Sequence, residues 1–268
     1  MKSSTLLTAF CPALLTTLLA TPASAESVIL IDLNTIEGSG AVGGTWNAYD
    51  APSDIDGSEL KDSSGATLTG VTLSKSGTMT DSSTTGTVYN NTSPDSQPSW
   101  ATSSTDNNAS GDYFFTSTSS GAQSFTLTID GLTSGHTFSL DLLASRYSEN
   151  ANGFYEYSLD DGSNWSGFDV LNSDGTDANT GGWDTFNTQT QGFDMRSQGY
   201  VLHRYMNISD VTLTGTTLQI RTTDASTSDG DWSALNAARL TLIPEPSMIW
   251  LVLMIGSAVF VRRPRRQV

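Results

Sequence analysis

Hydrophobic and polar residues alternate along this chain in short bursts. Phe125, Leu127 and Ile129 take every second place, with Ser124, Thr126, Thr128 and Asp130 between them. A period of two belongs to a strand with one buried and one wet face, because successive side chains point to opposite sides. Gly131-Leu132-Thr133-Ser134-Gly135 reads as a turn, and Thr137 to Ala144 returns with Phe138, Leu140 and Leu142 on one face. The two segments are expected to pair as adjacent antiparallel strands. Similar runs predict strands at Val28–Leu33, Ala66–Ser74, Thr85–Tyr89, Phe154–Leu159, Gly199–Ile208, Thr216–Thr222 and Ala237–Ile243. Asn90–Ser110, with Pro94 and Pro98, and Asn172–Gln191 read as surface loops; Trp100 in the first would pin the loop down or bind something. No long segment has helical periodicity and no fixed-period repeat is found. Nine or ten strands without helices predict an all-β fold, a two-sheet sandwich rather than a propeller or solenoid.

The two ends break this pattern. Lys2, an apolar stretch from Leu6 to Ala20 and Ala23-Ser24-Ala25 have the order of a secretory signal peptide, which would place the mature start near Glu26. At the other end, Pro244-Glu245-Pro246-Ser247 is followed by an uncharged apolar run, Met248 to Val261, and by Arg262-Arg263-Pro264-Arg265-Arg266. Prolines on both sides of Glu245 keep that tripeptide out of helices and inner strands. The apolar run would span roughly 21–23 Å as a helix, a little short of the ~30 Å hydrocarbon core. Snorkelling arginines and local thinning absorb such a mismatch. Arg262, Arg263, Arg265 and Arg266 would hold the tail on the cytoplasmic side. The expected organisation is therefore a signal peptide over 1–25, an extracytoplasmic domain over 26–243 and a C-terminal segment with one transmembrane helix over 244–268.

Tripeptide, apolar helix and arginine cluster, in this order, resemble the PEP-CTERM sorting signal of Gram-negative bacteria. The resemblance implies recognition of Pro244, Glu245 and Pro246 by an exosortase, a membrane-embedded enzyme with a cysteine nucleophile. The protein would be exported, held in the inner membrane, then cut near the tripeptide and passed to the cell surface or beyond. A plain tail anchor on a proline-rich stalk is the alternative. The rhythm of residues 124–145, with the closing Asn236-Ala237-Ala238-Arg239-Leu240-Thr241-Leu242, is similar to galactose-binding-like jelly rolls. That implies a jelly-roll-like sandwich and sets fold more than function.

Charge narrows the partners. The chain carries 12 basic and 28 acidic residues. Setting aside Lys2, the four terminal arginines and Glu245 leaves 7 against 27, a net charge of about −20 for 26–243. Nucleic acid, whose binders need a basic footprint, is excluded. The one cysteine, Cys11, lies in the signal segment, so the mature domain has no disulfide.

Candidate chemistry is sparse. A Ser–His–Asp centre would have only His136 and His203 to draw on, and no Gly-x-Ser-x-Gly elbow is present. A glycosidase pair of carboxylates has Glu156 as its most suggestive member, between Tyr155 and Tyr157 where it could line an aromatic groove. Calcium, which takes six to eight oxygens, has oxygen-rich turns at Asp54 and Asp56, Asp160 and Asp161, Asp174 and Asp177, and Asp229 and Asp231. None has EF-hand spacing, and Asp-Gly is equally a plain turn signal. Carbohydrate sites use aromatic platforms beside amides and carboxylates. Trp46, Trp100, Trp165, Trp183 and Trp232, in or near polar loops, and Arg146 are the candidate contacts; capping the ends of the sandwich is the alternative use of such tryptophans. The expectation is an exported, non-enzymatic structural or adhesive envelope protein. A carbohydrate-binding module that contacts extracellular polysaccharide, with or without calcium, is the second reading, and a polysaccharide hydrolase the third.

Overall fold

Burial alternates along Ser124–Asp130 as the sequence pattern requires. In the computed structural model the residues described are 26–33, 45–81, 100, 114–116, 123–144, 152–172, 193–194, 204–224 and 233–243. All belong to one compact unit, Glu26–Ile243. The chain forms β1 (Ser27–Leu33), β2 (Trp46–Tyr49), β3 (Asp56–Lys61), β4 (Thr67–Gly77), β5 (Thr80–Asp81), β6 (Phe114–Phe115), β7 (Ser124–Asp130) and β8 (Thr137–Leu143). It continues through β9 (Asn152–Ser158), β10 (Ser166–Gly167), β11 (Asp169–Asn172), β12 (Phe193–Asp194), β13 (Arg204–Thr212), β14 (Leu218–Asp224), β15 (Ala234–Leu235) and β16 (Ala237–Ile243). The only helical element among the described residues is a 3-10 turn at Pro52–Asp54.

The first large sheet runs β11-β13-β8-β16-β1-β2, and the second β10-β9-β14-β7-β4-β3, with β12 also on β9. A small sheet, β15-β6-β5, adds buried Phe114 and Leu235 to the core. The pairings are antiparallel, apart from β1 with β2, which is parallel. Ile29, Ile31, Phe138, Leu140, Met206 and Leu240 of the first sheet share one core with Phe125, Leu127, Ile129, Leu73, Leu218 and Ile220 of the second. The described residues therefore form an all-β body, with two large sheets facing each other across an apolar interior.

The expected hairpin of residues 124–144 is not formed. β7 pairs with β14 and β4 in the second sheet, whereas β8 pairs with β13 and β16 in the first. The turn between them is a crossover. Both strands carry an apolar face, and setting them in opposite sheets lets the two faces bury each other, which a hairpin in one sheet would not. More strands form than the pattern predicts: β2, β3, β10 and β11, short or polar, lie where no strand was expected. Of the expected Gly199–Ile208, residues 204–208 lie in β13, which runs on to Thr212, and 199–203 lie outside the described residues, as does Thr85–Tyr89; Thr216–Thr222 is matched by β14, which begins and ends two residues later.

Buried polar bonds tie these layers together. The Tyr155 hydroxyl, fully buried, donates to the Ala234 carbonyl and accepts from the Ala234 N–H at 3.2 Å, which joins β9 to β15. Thr116 and Ser233 hydroxyls meet at 2.8 Å beside the same strand.

Candidate functional site

The turn after β9 is built from its own side chains. Asp160 Oδ1 accepts from the Ser158 hydroxyl and the Asn164 N–H, both at 2.8 Å, and Oδ2 accepts from the Asn164 amide. Asp161 Oδ1 accepts from the Thr216 and Thr217 N–H groups at 2.9 Å and from the Thr217 hydroxyl at 2.8 Å. Asp161 and Gly162 both have positive φ, 57° and 86°, which Asp tolerates and Gly adopts freely. These bonds favour the ionised forms. The Asn164 side chain, then its backbone N–H, lowers the Asp160 pKa; the Thr217 hydroxyl, then the Thr216 N–H, lowers that of Asp161.

This turn delivers Trp165 to the edge of the second sheet's outer face. Its indole N–H donates to the Gly162 carbonyl at 3.1 Å. The Arg221 guanidinium stacks on the ring with 4.1 Å to the centroid, a cation–π geometry. Arg221 Nε also donates to Glu156 Oε2 at 2.8 Å, and Nη2 donates to the same oxygen. Register makes the group possible, because Arg221 on β14 stands opposite Glu156 on β9 and Thr126 on β7. The Arg221 side chain is 34% exposed and that of Glu156 12%.

The first sheet's outer face holds a related group under more cover. Arg239 Nε donates to Asp141 Oδ2 at 2.7 Å and Nη2 lies 2.6 Å from it, while Asn207 Nδ2 donates to Oδ1 at 2.7 Å. The guanidinium of Arg239 lies 5.2 Å from the Trp100 ring centroid, and Trp100 meets Tyr205 edge-on at 6.4 Å. Leu143, Tyr205 and Ala237 are buried here, with Trp46, Trp100 and Leu171 half-buried against them. Trp100 Nε1 is buried with no hydrogen-bond acceptor among the described residues. Trp100 thus packs on the outer face of the first sheet.

The sequence candidates separate accordingly. Trp46 and Trp100 share one outer face and Trp165 lies on the other sheet; Trp46 opens a strand and is not in a loop. Asp54 caps the 3-10 turn, its Oδ2 accepting the Ala51 N–H at 3.0 Å, and Asp56 is exposed on edge strand β3, not in a turn. Among the described residues no group of three or more His, Cys, Asp or Glu is placed to hold a metal ion. The acids of the Asp160–Asn164 turn face N–H and O–H donors instead. Trp183, Trp232, Arg146, His203, Asp174, Asp177, Asp229, Asp231, the Pro244-Glu245-Pro246 tripeptide and the terminal arginines lie outside the described residues. Among the described residues no helix is long and apolar enough to cross a membrane; the run Met248–Val261 is not among them. Sequence reasoning noticed Glu156 and Trp165 but missed Arg221. A clue was available: a lone cation on a wet position of a strand, in a domain with seven basic residues.

No family model and no curated protein matches this chain. A solved structure, the enzymatically active domain of tailspike protein 4 of bacteriophage CBA120, is similar at 16% identity and a TM-score of 0.30. The match covers 65% of this chain and 20% of that one, so the chain spans about one fifth of its length.

Proposed function

We propose that this is an exported cell-envelope protein, sorted through its C-terminus, whose β domain is a non-enzymatic structural or adhesive body. One observation carries the reading: a proline-bracketed glutamate, an uncharged apolar run and four arginines follow in order after Ile243, the last residue of β16. On this reading an exosortase recognises Pro244, Glu245 and Pro246, the apolar run holds the precursor in the inner membrane, and the product goes to the surface or beyond. The fold is read more finely as a jelly-roll-like sandwich. In its support, the chain changes sheet from β7 to β8, from β8 to β9 and from β13 to β14, and the first and last strands pair. The intact mass of the protein recovered from exosortase-containing cells tests the sorting step. The expected product ends near Pro246 and lacks residues 248–268; a full-length envelope form in those cells overturns the reading in favour of a plain anchor.

A second reading is that the domain binds extracellular carbohydrate. The pinned Trp165 beside Arg221 and Glu156 supports it, since a fixed aromatic ring next to hydrogen-bonding groups is what a sugar ring requires. The same Glu156 weighs against glycoside hydrolysis, because its Oε2 is taken by the Arg221 guanidinium.

A further inference from the structure

We infer that the C-terminal cut depends on an earlier N-terminal one: an endoproteolytic reaction must remove the leader, residues 1–25, before an exosortase can act at Pro244-Glu245-Pro246. The inference rests on the sorting reading above and adds an order to it.

The register of β1 and β16 carries it. These strands pair antiparallel from Ser27 opposite Leu242 to Asp32 opposite Ala237, so the first strand of the domain starts where its last strand stops. β16 is not an edge strand. It lies between β8 and β1, with Leu242 opposite Phe138 on one side and Ser27 on the other. Ile29, Ile31, Ala238 and Leu240 of the pair are buried in the core. The two ends therefore stay together unless the first sheet opens. Paired α-carbons in such a ladder lie about 4.5–5.5 Å apart. From Ser27 back to Ala25, and from Leu242 on to Pro244, the chain reaches at most about 7 Å each way. Both processing points thus fall within about 20 Å of each other, whatever path the flanking segments take.

The membrane turns this proximity into an order. While the leader is attached, the uncharged apolar runs Leu6–Ala20 and Met248–Val261 tether one corner of the domain from both ends. Ala20 lies seven positions before Ser27, and Met248 six after Leu242. Flexible segments of that length cover about 12–16 Å each, which puts the two runs roughly 20 Å apart where they enter the bilayer. A helix with its side chains is about 10–12 Å across, so the gap admits one helix or two. An enzyme embedded in the membrane needs more room than that to enclose a tripeptide and the tail behind it. Removing the leader frees Glu26 and opens that side. The reverse dependence does not arise, because β16 cannot take its place between β8 and β1 until Ile243 has crossed the membrane. The leader junction is accessible while the sheet is still open.

The test follows both termini of the full-length chain, by intact mass, in exosortase-containing cells. Wild type is expected to lose both ends, passing through a leader-free, tail-bearing form and never through the opposite one. Ala23→Phe/Ala25→Phe removes the small residues that the leader cut requires and should abolish removal of the tail. The same double variant with about thirty Gly/Ser residues inserted before Glu26, which adds about 30 Å of reach, should recover tail removal with the leader retained. That recovery also shows that the blocked chain is exported and folds. Loss of the tail from the blocked chain without the insert overturns the inference, and so does an insert that recovers nothing. A wild-type chain that keeps its tail overturns the sorting reading itself, and the inference with it; a wild-type chain that is cut while either variant disagrees overturns the order alone.

Discussion

Asn47 stands in for a peptide group. Its side-chain amide donates to the Leu30 carbonyl at 3.0 Å and the Lys61 carbonyl at 2.8 Å, while its Oδ1 accepts the Lys61 N–H at 2.8 Å. It is 8% exposed, and it links β2 of the first sheet to the end of β3 in the second. Asn47→Ala leaves buried backbone groups unpaired and should cost about 2–4 kcal/mol, measured as a fall in the urea midpoint. Asn47→Asp should be worse at neutral pH, since a buried carboxylate would face two carbonyl oxygens. From the sequence Asn47 reads only as an amide beside the aromatic Trp46; its bracing role was not legible, because its partners Leu30 and Lys61 lie 17 and 14 residues away. Glu156 was legible as a wet position between two tyrosines, but its partner Arg221 is 65 residues distant. Only the pairing of β9 with β14 brings them together.

The crossover between β7 and β8 is the element on which the two-sheet arrangement turns. Gly131 opens it with φ of 80°, and a Cβ there would lie 1.8 Å from the Gly70 carbonyl oxygen. Gly131→Ala therefore combines the left-handed penalty with a backbone clash, and should cost more than about 3 kcal/mol. Gly57, with φ of 92°, is the comparison, because a Cβ there meets nothing within 4 Å. Gly57→Ala should carry only the conformational cost, about 1–2 kcal/mol. The difference between their urea midpoints isolates the close approach of β7's end to β4. Both glycines read from the sequence as turn residues; that one of them touches another strand did not. The turn itself was placed correctly, but its two strands were assigned to one sheet because local spacing says how far the chain turns and not which sheet it enters.

For the domain as a whole, acidity supplies a pH dependence whose sign follows from its turns. The Ser64 hydroxyl, then the Ala66 N–H, lowers the pKa of Asp62, which joins Asp160 and Asp161 below the usual carboxylate range. A carboxylate with a lowered folded pKa leaves the unfolded chain as the better proton binder in acid. The stabilisation is complete above about pH 4 and drains away as pH falls through the lowered folded values. Urea midpoints should hold level near neutrality and fall steeply below about pH 4. The double variant Asp160→Asn/Asp161→Asn, which keeps acceptor oxygens but does not titrate, should shrink that fall; an unchanged slope would assign it to other groups.

The sequence by itself determined the strand character, the position of the turn after Asp130 and the inward set Phe125, Leu127, Ile129, Phe138, Leu140 and Leu142, because a period of two is a property of the backbone that each segment carries alone. It also determined the charge and the order of motifs at the C-terminus on which the sorting proposal rests. Tertiary structure decided which sheet each strand joined, that Arg221 would meet both Trp165 and Glu156, and that Trp100 would pack on the outer face of the other sheet. Those outcomes depend on which apolar faces bury each other across the core, a choice made between segments far apart in the chain and written in none of them singly.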